Sequence, residues 1–373
     1  MSLCNEYLSS SACDKKHRRK AGIGSMIKKM AMIGCEGIGA YHLDHLMQLT
    51  DMVELAGFCD LVPGKAEKFC KKARSGKAYT DFKQMYDDVK PDMVFICVPP
   101  FAHGEIEFET IRRGIHFFVE KPIALDLNLA KDIAQKVRDA GLITAAGFQC
   151  RYSNLTEPTK DFIKHNSIVL VEASRIPGVP GIPWWAKKSR SGGMLVESTI
   201  HQLDIIRYLF DEPETVITQG ASGWVNKEGC DVEDITTTMV KFRNGALGVV
   251  LSGCYATEGA SFESGITFSA RDKRAVHKII ESLDIYEKED FTAGESAYFV
   301  TKNDGVLSSS AKITNFCQEG DAGVICDRTF IEAVISGDAS KIRSPYEDAV
   351  KSLAFGLACN KSIETGQPVT IEY

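Results

Sequence analysis

No apolar run in this chain approaches the roughly 18 consecutive residues that a membrane helix needs. No two cysteines stand in a C-x-x-C spacing, and no segment of domain size carries a basic excess. The first absence speaks against a membrane partner. The second speaks against a zinc or iron–sulfur site, and no bound metal is expected. The third, with a net charge of −6, speaks against nucleic acid and leaves small molecules as the expected partners. Twelve cysteines are present, but they are scattered from Cys4 to Cys359. Several fall inside strand-like stretches, such as VELAGFC and MVFICV, where a thiol behaves as a small buried hydrophobe. A reducing cytoplasm suits that usage.

At 373 residues the chain exceeds one ordinary core. Residues 1–25 lack an apolar signal segment and read as a disordered or appended extension. From Met26 short apolar strands (MAMIG, VELAGFC, DMVFICV, HFFVE, ITAAGF) alternate with amphipathic helices, the signature of a doubly wound parallel sheet. A Rossmann domain over 26–147 is therefore expected. Over 148–373 the β-branched alternation of ITTTMVKF, ALGVVLSG and SGITFSA points to an α+β domain with a large, mostly antiparallel open sheet. One continuous helix is expected over GMLVESTIHQLDIIRYLF, and another closes the chain and can pack back on the first domain.

The segment IGCEGIG nearly spells the G-x-G-x-x-G turn of dinucleotide-binding folds. Gly34 and Gly39 hold its outer positions. Gly37, Ile38 and Gly39 then open a helix whose backbone amides can hold a pyrophosphate. The middle glycine is replaced by Glu36. Aimed at the pyrophosphate, its carboxylate would weaken binding severely; aimed at solvent, it leaves the amides free, and the second arrangement is the one expected. Asp60 lies 21 residues beyond Gly39, directly after VELAGFC. Such an acid accepts from ribose hydroxyls and repels a 2′-phosphate, so NAD is favoured over NADP.

Further on, HFFVE runs into Glu120-Lys121-Pro122, where the proline keeps Lys121 extended at the carboxyl edge of the sheet. On the expected helix Glu197, His201, Asp204 and Tyr208 share one face. Removing hydride from a secondary alcohol requires loss of the hydroxyl proton, which a histidine such as His201 can take. Lys121 can stabilise the developing alkoxide, and Glu197 can orient either group.

With those residues in view, the chain resembles the glucose–fructose oxidoreductase, inositol dehydrogenase and MocA family of NAD(P)-dependent sugar and polyol dehydrogenases. The likeness runs from Met26 to Tyr373 and is carried by GCEGIGAYH, LAGFCD, CVPPFAH, EKP, GFQCRY, SGGMLVESTIHQLD and the closing IRSPYEDAVKSLAFGLACNKSIETGQPV. It implies a homodimer or homotetramer built through the open sheet. It also implies that Lys121, Glu197 and His201 act on the substrate hydroxyl, with Glu197 in the place of the more frequent aspartate. Val98, Pro99, His103, Glu120 and Lys121 are expected at the cofactor, with His103 lining the nicotinamide pocket. Arg151, Tyr152, Trp184 and Trp185 are expected at the substrate together with His201, the tryptophans by stacking on a sugar ring.

The leading expectation is an NAD-dependent dehydrogenase acting on a sugar, inositol or polyol. Two alternatives stay open: a glycosidase or lyase that uses a tightly bound NAD without net redox, and a non-catalytic ligand sensor.

Overall fold

The computed structural model describes residues 27–225, 229–257, 261–288 and 311–373, so the extension over 1–25 lies outside the described residues. Six strands, β1 (Lys28–Ile33), β2 (Val53–Cys59), β3 (Lys77–Tyr79), β4 (Met93–Ile96), β5 (His116–Val119) and β6 (Thr144–Ala146), form a parallel sheet in the order β3-β2-β1-β4-β5-β6. The chain winds outward from β1 to β3, then returns to the other side of β1 for β4. This reversal opens a crevice at the carboxyl ends of β1 and β4, the place where open α/β sheets take ligands.

Helices α1 (Ile38–Leu46), α2 (Lys65–Ala73), α3 (Phe82–Val89), α4 (Glu105–Arg112) and α5 (Leu127–Ala140) connect these strands. Their starts are legible in the residues. Asp81 caps α3 by accepting from the Lys83 and Gln84 amides, and Asp126 caps α5 through the Leu129 amide. Val94, Phe95, Ile96, Phe117, Phe118 and Val119 are all fully buried, as strands covered on both faces require.

The second sheet has nine strands: β7 (Leu170–Pro177), β8 (Pro213–Ala221), β9 (Ile235–Phe242), β10 (Leu247–Gly253), β11 (Ser261–Ala270), β12 (Lys273–Lys278), β13 (Ser282–Lys288), β14 (Ala311–Cys317) and β15 (Val369–Thr370). Their order is β14-β13-β12-β11-β7-β10-β9-β8-β15, and every pairing is antiparallel except β7 with β10. The RNGA turn joins β9 to β10, with Gly245 at φ +89°. One face of the sheet is covered by α6 (Thr156–His165), α9 (Ile200–Leu209) and α11 (Tyr346–Thr365).

The helices of the second half depart from expectation in two ways. The stretch GMLVESTIHQLDIIRYLF is broken into α8 (Gly193–Glu197) and α9, which follow the short α7 (Lys188–Ser191). At the break the Ser198 and Thr199 amides both turn onto the Met194 carbonyl, while the Thr199 hydroxyl pairs with Ser252 at 2.6 Å inside the protein. Hydroxyl side chains that find partners off the helix axis favour such an interruption. Missing from the sequence reading altogether are α6 and α10 (Ala322–Ser336), the latter capped by Asp321 at one end and by Gly337 at the other.

The closing helix α11 serves both cores. Tyr346, Ala349, Val350 and Leu353 pack into the cluster around the parallel sheet, and Phe355, Ala358 and Cys359 pack into the cluster on the second sheet. Arg151 reinforces this junction. Its guanidinium donates to Asp204 at 2.8 and 2.6 Å, to the Arg343 carbonyl at 2.6 Å, and pairs with Asp348 of α11 at 2.5 Å. Arg151 and Asp204 are almost wholly buried, so removing one partner leaves an uncompensated charge in the interior. Arg151→Met is therefore expected to destabilise the protein by about 3–5 kcal/mol, read by denaturant unfolding; a change under about 1 kcal/mol would show the network to be dispensable.

Candidate active site

The crevice is built first by absences of side chain. Gly34 sits at φ +92°, and a Cβ there would lie 2.2 Å from the Cys97 carbonyl oxygen; a Cβ on Gly39 would lie 2.2 Å from the Gly34 carbonyl oxygen. Both outer glycines are thus sterically required where the turn packs against β4. Gly37, at φ +51°, leads directly into α1 at Ile38. Glu36 needs no such freedom. Its side chain is exposed and forms an ion pair with Lys65, the first residue of α2. Asp60, at the end of β2, is tied into the same turn: Oδ2 accepts from the Cys35 amide at 2.9 Å and Oδ1 from the Val62 amide at 2.9 Å.

Val98 and Pro99 follow β4 and are half-buried at the same edge. His103 is buried, with Nδ1 2.6 Å from Glu107 Oε1. Glu107 also accepts from the Gly104 amide at 2.6 Å, so one carboxylate starts α4 and aims the imidazole. His103 Nε2 is buried without a hydrogen-bond partner.

Lys121 leaves the end of β5 and meets Glu197 at the end of α8. Its ammonium donates to the Glu197 carbonyl oxygen at 3.0 Å and lies 3.7 Å from Glu197 Oε1. His201 stands in the first turn of α9, with Nδ1 3.9 Å from Cys150 Sγ. Burial holds its pKa well below the usual imidazole value, and the charges of Lys121 and Arg175 push in the same direction. The imidazole is therefore neutral and has a lone pair to accept a proton.

The other residues expected at substrate or cofactor divide. Trp184 is half-buried and meets Phe101 of the PPFAH loop edge-on at 6.2 Å, so it bridges the two halves of the crevice. Trp185 is 1% exposed and packs with Met194, Val232 and Cys254; its indole is core and is not free to stack on a ring. Arg151 is spent on Asp204 and Asp348, and buried Tyr152 receives the Arg343 amide on its hydroxyl at 2.9 Å. Neither is free for substrate. Asp204 and Tyr208 keep the face of α9 that they share with His201, but they are already occupied: Asp204 holds the Arg151 guanidinium, and Tyr208 lies under the Arg151 guanidinium and under the Lys160 ammonium at 3.6 Å, while the break separates Glu197 from all three.

Glu120 is also redirected. It faces inward, with Oε1 2.9 Å from His42 Nε2 and Oε2 accepting the Lys121 amide at 3.1 Å. A Cβ on Gly147 would lie 2.1 Å from Glu120 Oε1, so that glycine makes the space. Sequence reasoning missed what lies behind it. His42 Nδ1 is 2.9 Å from Asp327 Oδ2, and His45 Nδ1 reaches the same oxygen at 2.9 Å. The H-x-x-H spacing in GAYHLDH was the available signal, but its acid lies 285 residues away. These donors come within 4.8 Å of one another. Ligands around a tetrahedral zinc stand about 3.3 Å apart at normal bond lengths, whereas the contacts here are of hydrogen-bond length.

Sitting between two buried carboxylates, His42 has its pKa pushed up to about 10 from 6.5, the attraction of Asp327 and Glu120 outweighing desolvation. A raised folded-state pKa stabilises the protein fully below the unfolded value and loses that contribution as pH climbs through the folded value. The stability advantage of the native protein over His42→Gln should therefore be greatest below pH 6.5, shrink steadily above it and vanish near pH 10. Thermal unfolding across that range checks this; a pH-independent difference would show His42 to be neutral in the fold.

Residues 28–148 match an oxidoreductase family described by its NAD-binding Rossmann fold, and residues 168–270 match the GFO/IDH/MocA C-terminal domain. The chain is 25% identical over 353 residues to the myo-inositol 2-dehydrogenase of Thermotoga maritima, covering 92% of this chain and 98% of that relative. It is 28% identical over 229 residues to the scyllo-inositol 2-dehydrogenase (NAD(+)) of Bacillus subtilis, covering 60% of this chain and 66% of that one. Levoglucosan dehydrogenase in complex with NADH shares the fold at a TM-score of 0.77 and 18% identity, over 92% of this chain and 99% of that chain. The myo-inositol 2-dehydrogenase structure from Lactobacillus plantarum does so at 0.76 and 20%, over 93% and 100%. Both halves of the chain thus agree, and the protein belongs to the GFO/IDH/MocA family of oxidoreductases.

Proposed function

We propose that this protein is an NAD-dependent dehydrogenase that oxidises a secondary hydroxyl of a sugar, inositol or related polyol, or reduces the corresponding ketone. The observation that carries the reading is the pairing of the Lys121 ammonium with Glu197 at 3.0 and 3.7 Å beside the neutral imidazole of His201. The glycine-lined turn fits the cofactor. Gly34 and Gly39 leave the backbone bare, the amides of Gly37 and Ile38 at the start of α1 would face the pyrophosphate, and Asp60 would take the ribose. Val98 and Pro99 border the nicotinamide end.

When bound, NAD supplies the hydride acceptor. The chain supplies the proton chemistry. As the carbinol carbon loses hydride, its oxygen gives up a proton to His201 and becomes a carbonyl. Lys121 holds that oxygen by a charge-assisted hydrogen bond and offsets the developing negative charge. Glu197 fixes the lysine. Trp184 and Phe101 shelter the crevice from water. Inositols and neutral sugars lead the substrate class, in keeping with what the named relatives act on, and the scattered thiols suit a cytoplasmic enzyme.

A homodimer or homotetramer is part of this proposal. The face of the nine-stranded sheet away from the helices exposes Met239 (60%), Leu247 (57%), Leu251 (37%) and Ile313 (56%), an apolar surface suited to a second copy.

With NAD and a panel of inositols and neutral sugars, Lys121→Met and His201→Asn should each lower turnover by about 10²–10⁴-fold while leaving NAD affinity in calorimetry within about threefold. Retained turnover in both would sink the assignment. Leu251→Asp with Met239→Lys should shift the mass in solution, measured by light scattering, to that of a monomer; an unchanged oligomer would place the interface elsewhere.

A further inference from the structure

The Glu36–Lys65 pair is left unused by the mechanism. Glu36 is in the turn itself, where its carbonyl accepts the Gly39 amide at 2.9 Å. Its exposed carboxylate reaches across the carboxyl ends of β1 and β2 to the Lys65 ammonium. Asp60 lies between them in sequence and is bonded to both neighbourhoods, through the amides of Cys35 and Val62. The lysine also feels Asp60, which together with Glu36 holds its pKa above the ordinary value. Three charges therefore meet where a dinucleotide lays its pyrophosphate and adenosine ribose. Their sum is −1 with the lysine and −2 without it.

Stability does not account for the pair, because an ion pair this exposed contributes little. Ligand binding does. A site of charge −2 repels a dianionic pyrophosphate, and a lone lysine beside Asp60 would attract the 2′-phosphate of NADP. We propose that Glu36 and Lys65 form a two-residue cofactor selector: the lysine cancels the glutamate so that pyrophosphate is accepted, and the glutamate withholds the lysine from a 2′-phosphate. The inference rests on the cofactor reading above and goes beyond it by naming Lys65 and Glu36 as specificity residues.

The test is calorimetric titration of the full chain with NAD and with NADP at low ionic strength, for the native protein, Glu36→Gly, Lys65→Ala and the double variant. Both side chains are partly or largely exposed, so unchanged thermal unfolding is expected in all four. Lys65→Ala should weaken NAD by about tenfold. Glu36→Gly should bind NAD at least as tightly as the native protein and tighten NADP by about tenfold or more. The double variant should return to native NAD affinity within about threefold, because removing the glutamate removes the need for the lysine. Salt at 0.5 M should compress these differences, since the charges are screened. NAD binding that is unchanged in Lys65→Ala, or an NADP affinity indifferent to Glu36→Gly, would overturn the selector while leaving the dehydrogenase reading intact. Absence of NAD and NADP binding in all four proteins would overturn both.

Discussion

The active-site edge depends on a protonated imidazole held between two carboxylates. His42, Glu120 and Asp327 are each buried almost completely, and such a group is tolerable only when every charge is paired and every donor used. One ionised histidine balances one of the two acids and bonds to both, and each carboxylate gains a further contact, His45 on Asp327 and the Lys121 amide on Glu120. The arrangement joins three elements that sequence keeps apart. Helix α1 begins at the cofactor turn, Glu120 precedes the lysine of the site, and α10 comes from the far end of the chain. Because Glu120 also accepts the Lys121 amide, the main chain at Lys121 is held against α1 and α10.

The legible part of the fold was the part written locally. Gly34, Gly39, Asp60, Lys121 and Pro122 each stand just after a strand that its own apolar run marks, so their spacing alone located the sheet's carboxyl edge, although Gly34, Asp60 and Lys121 make their contacts with the distant Cys97, Cys35 and Glu197. Strand alternation gave β9, β10 and β11 for the same reason. The unreadable part involved partners chosen across the chain. Arg151 looked like a substrate ligand because it follows the crossover into the second half, yet its anions, Asp204 and Asp348, are 53 and 197 positions away. Trp185 and Trp184 are adjacent and chemically identical, but only packing decides which one enters the core. The helix break at Ser198 could not be read from apolar spacing, since the Ser252 partner of Thr199 is on a strand of the second sheet.

That break shapes the chemistry. In a continuous helix Glu197 and His201 would be neighbours on one face, and the acid would raise the basicity of the imidazole. Instead Glu197 ends α8 and presents its carbonyl as well as its carboxylate to Lys121, leaving a thiol beside His201 Nδ1. The acid therefore pairs with Lys121 and not with the imidazole. Desolvation and two cations keep His201 neutral, which leaves its lone pair free while making the imidazole a weaker base than usual.

The turn IGCEGIG separates two requirements that a row of glycines conceals. At positions 34 and 39 the demand is steric, because any Cβ would enter a backbone carbonyl. At position 36 it is electrostatic. The side chain there has room to leave the crevice, and what matters is where its charge goes. Lys65 opens α2, close after Asp60, and so can receive that charge without disturbing the contacts of Asp60 to the turn. The residue that breaks the glycine pattern meets its partner on α2, the helix that follows β2, so in this turn two positions answer a steric demand and the third carries a charge that is balanced locally.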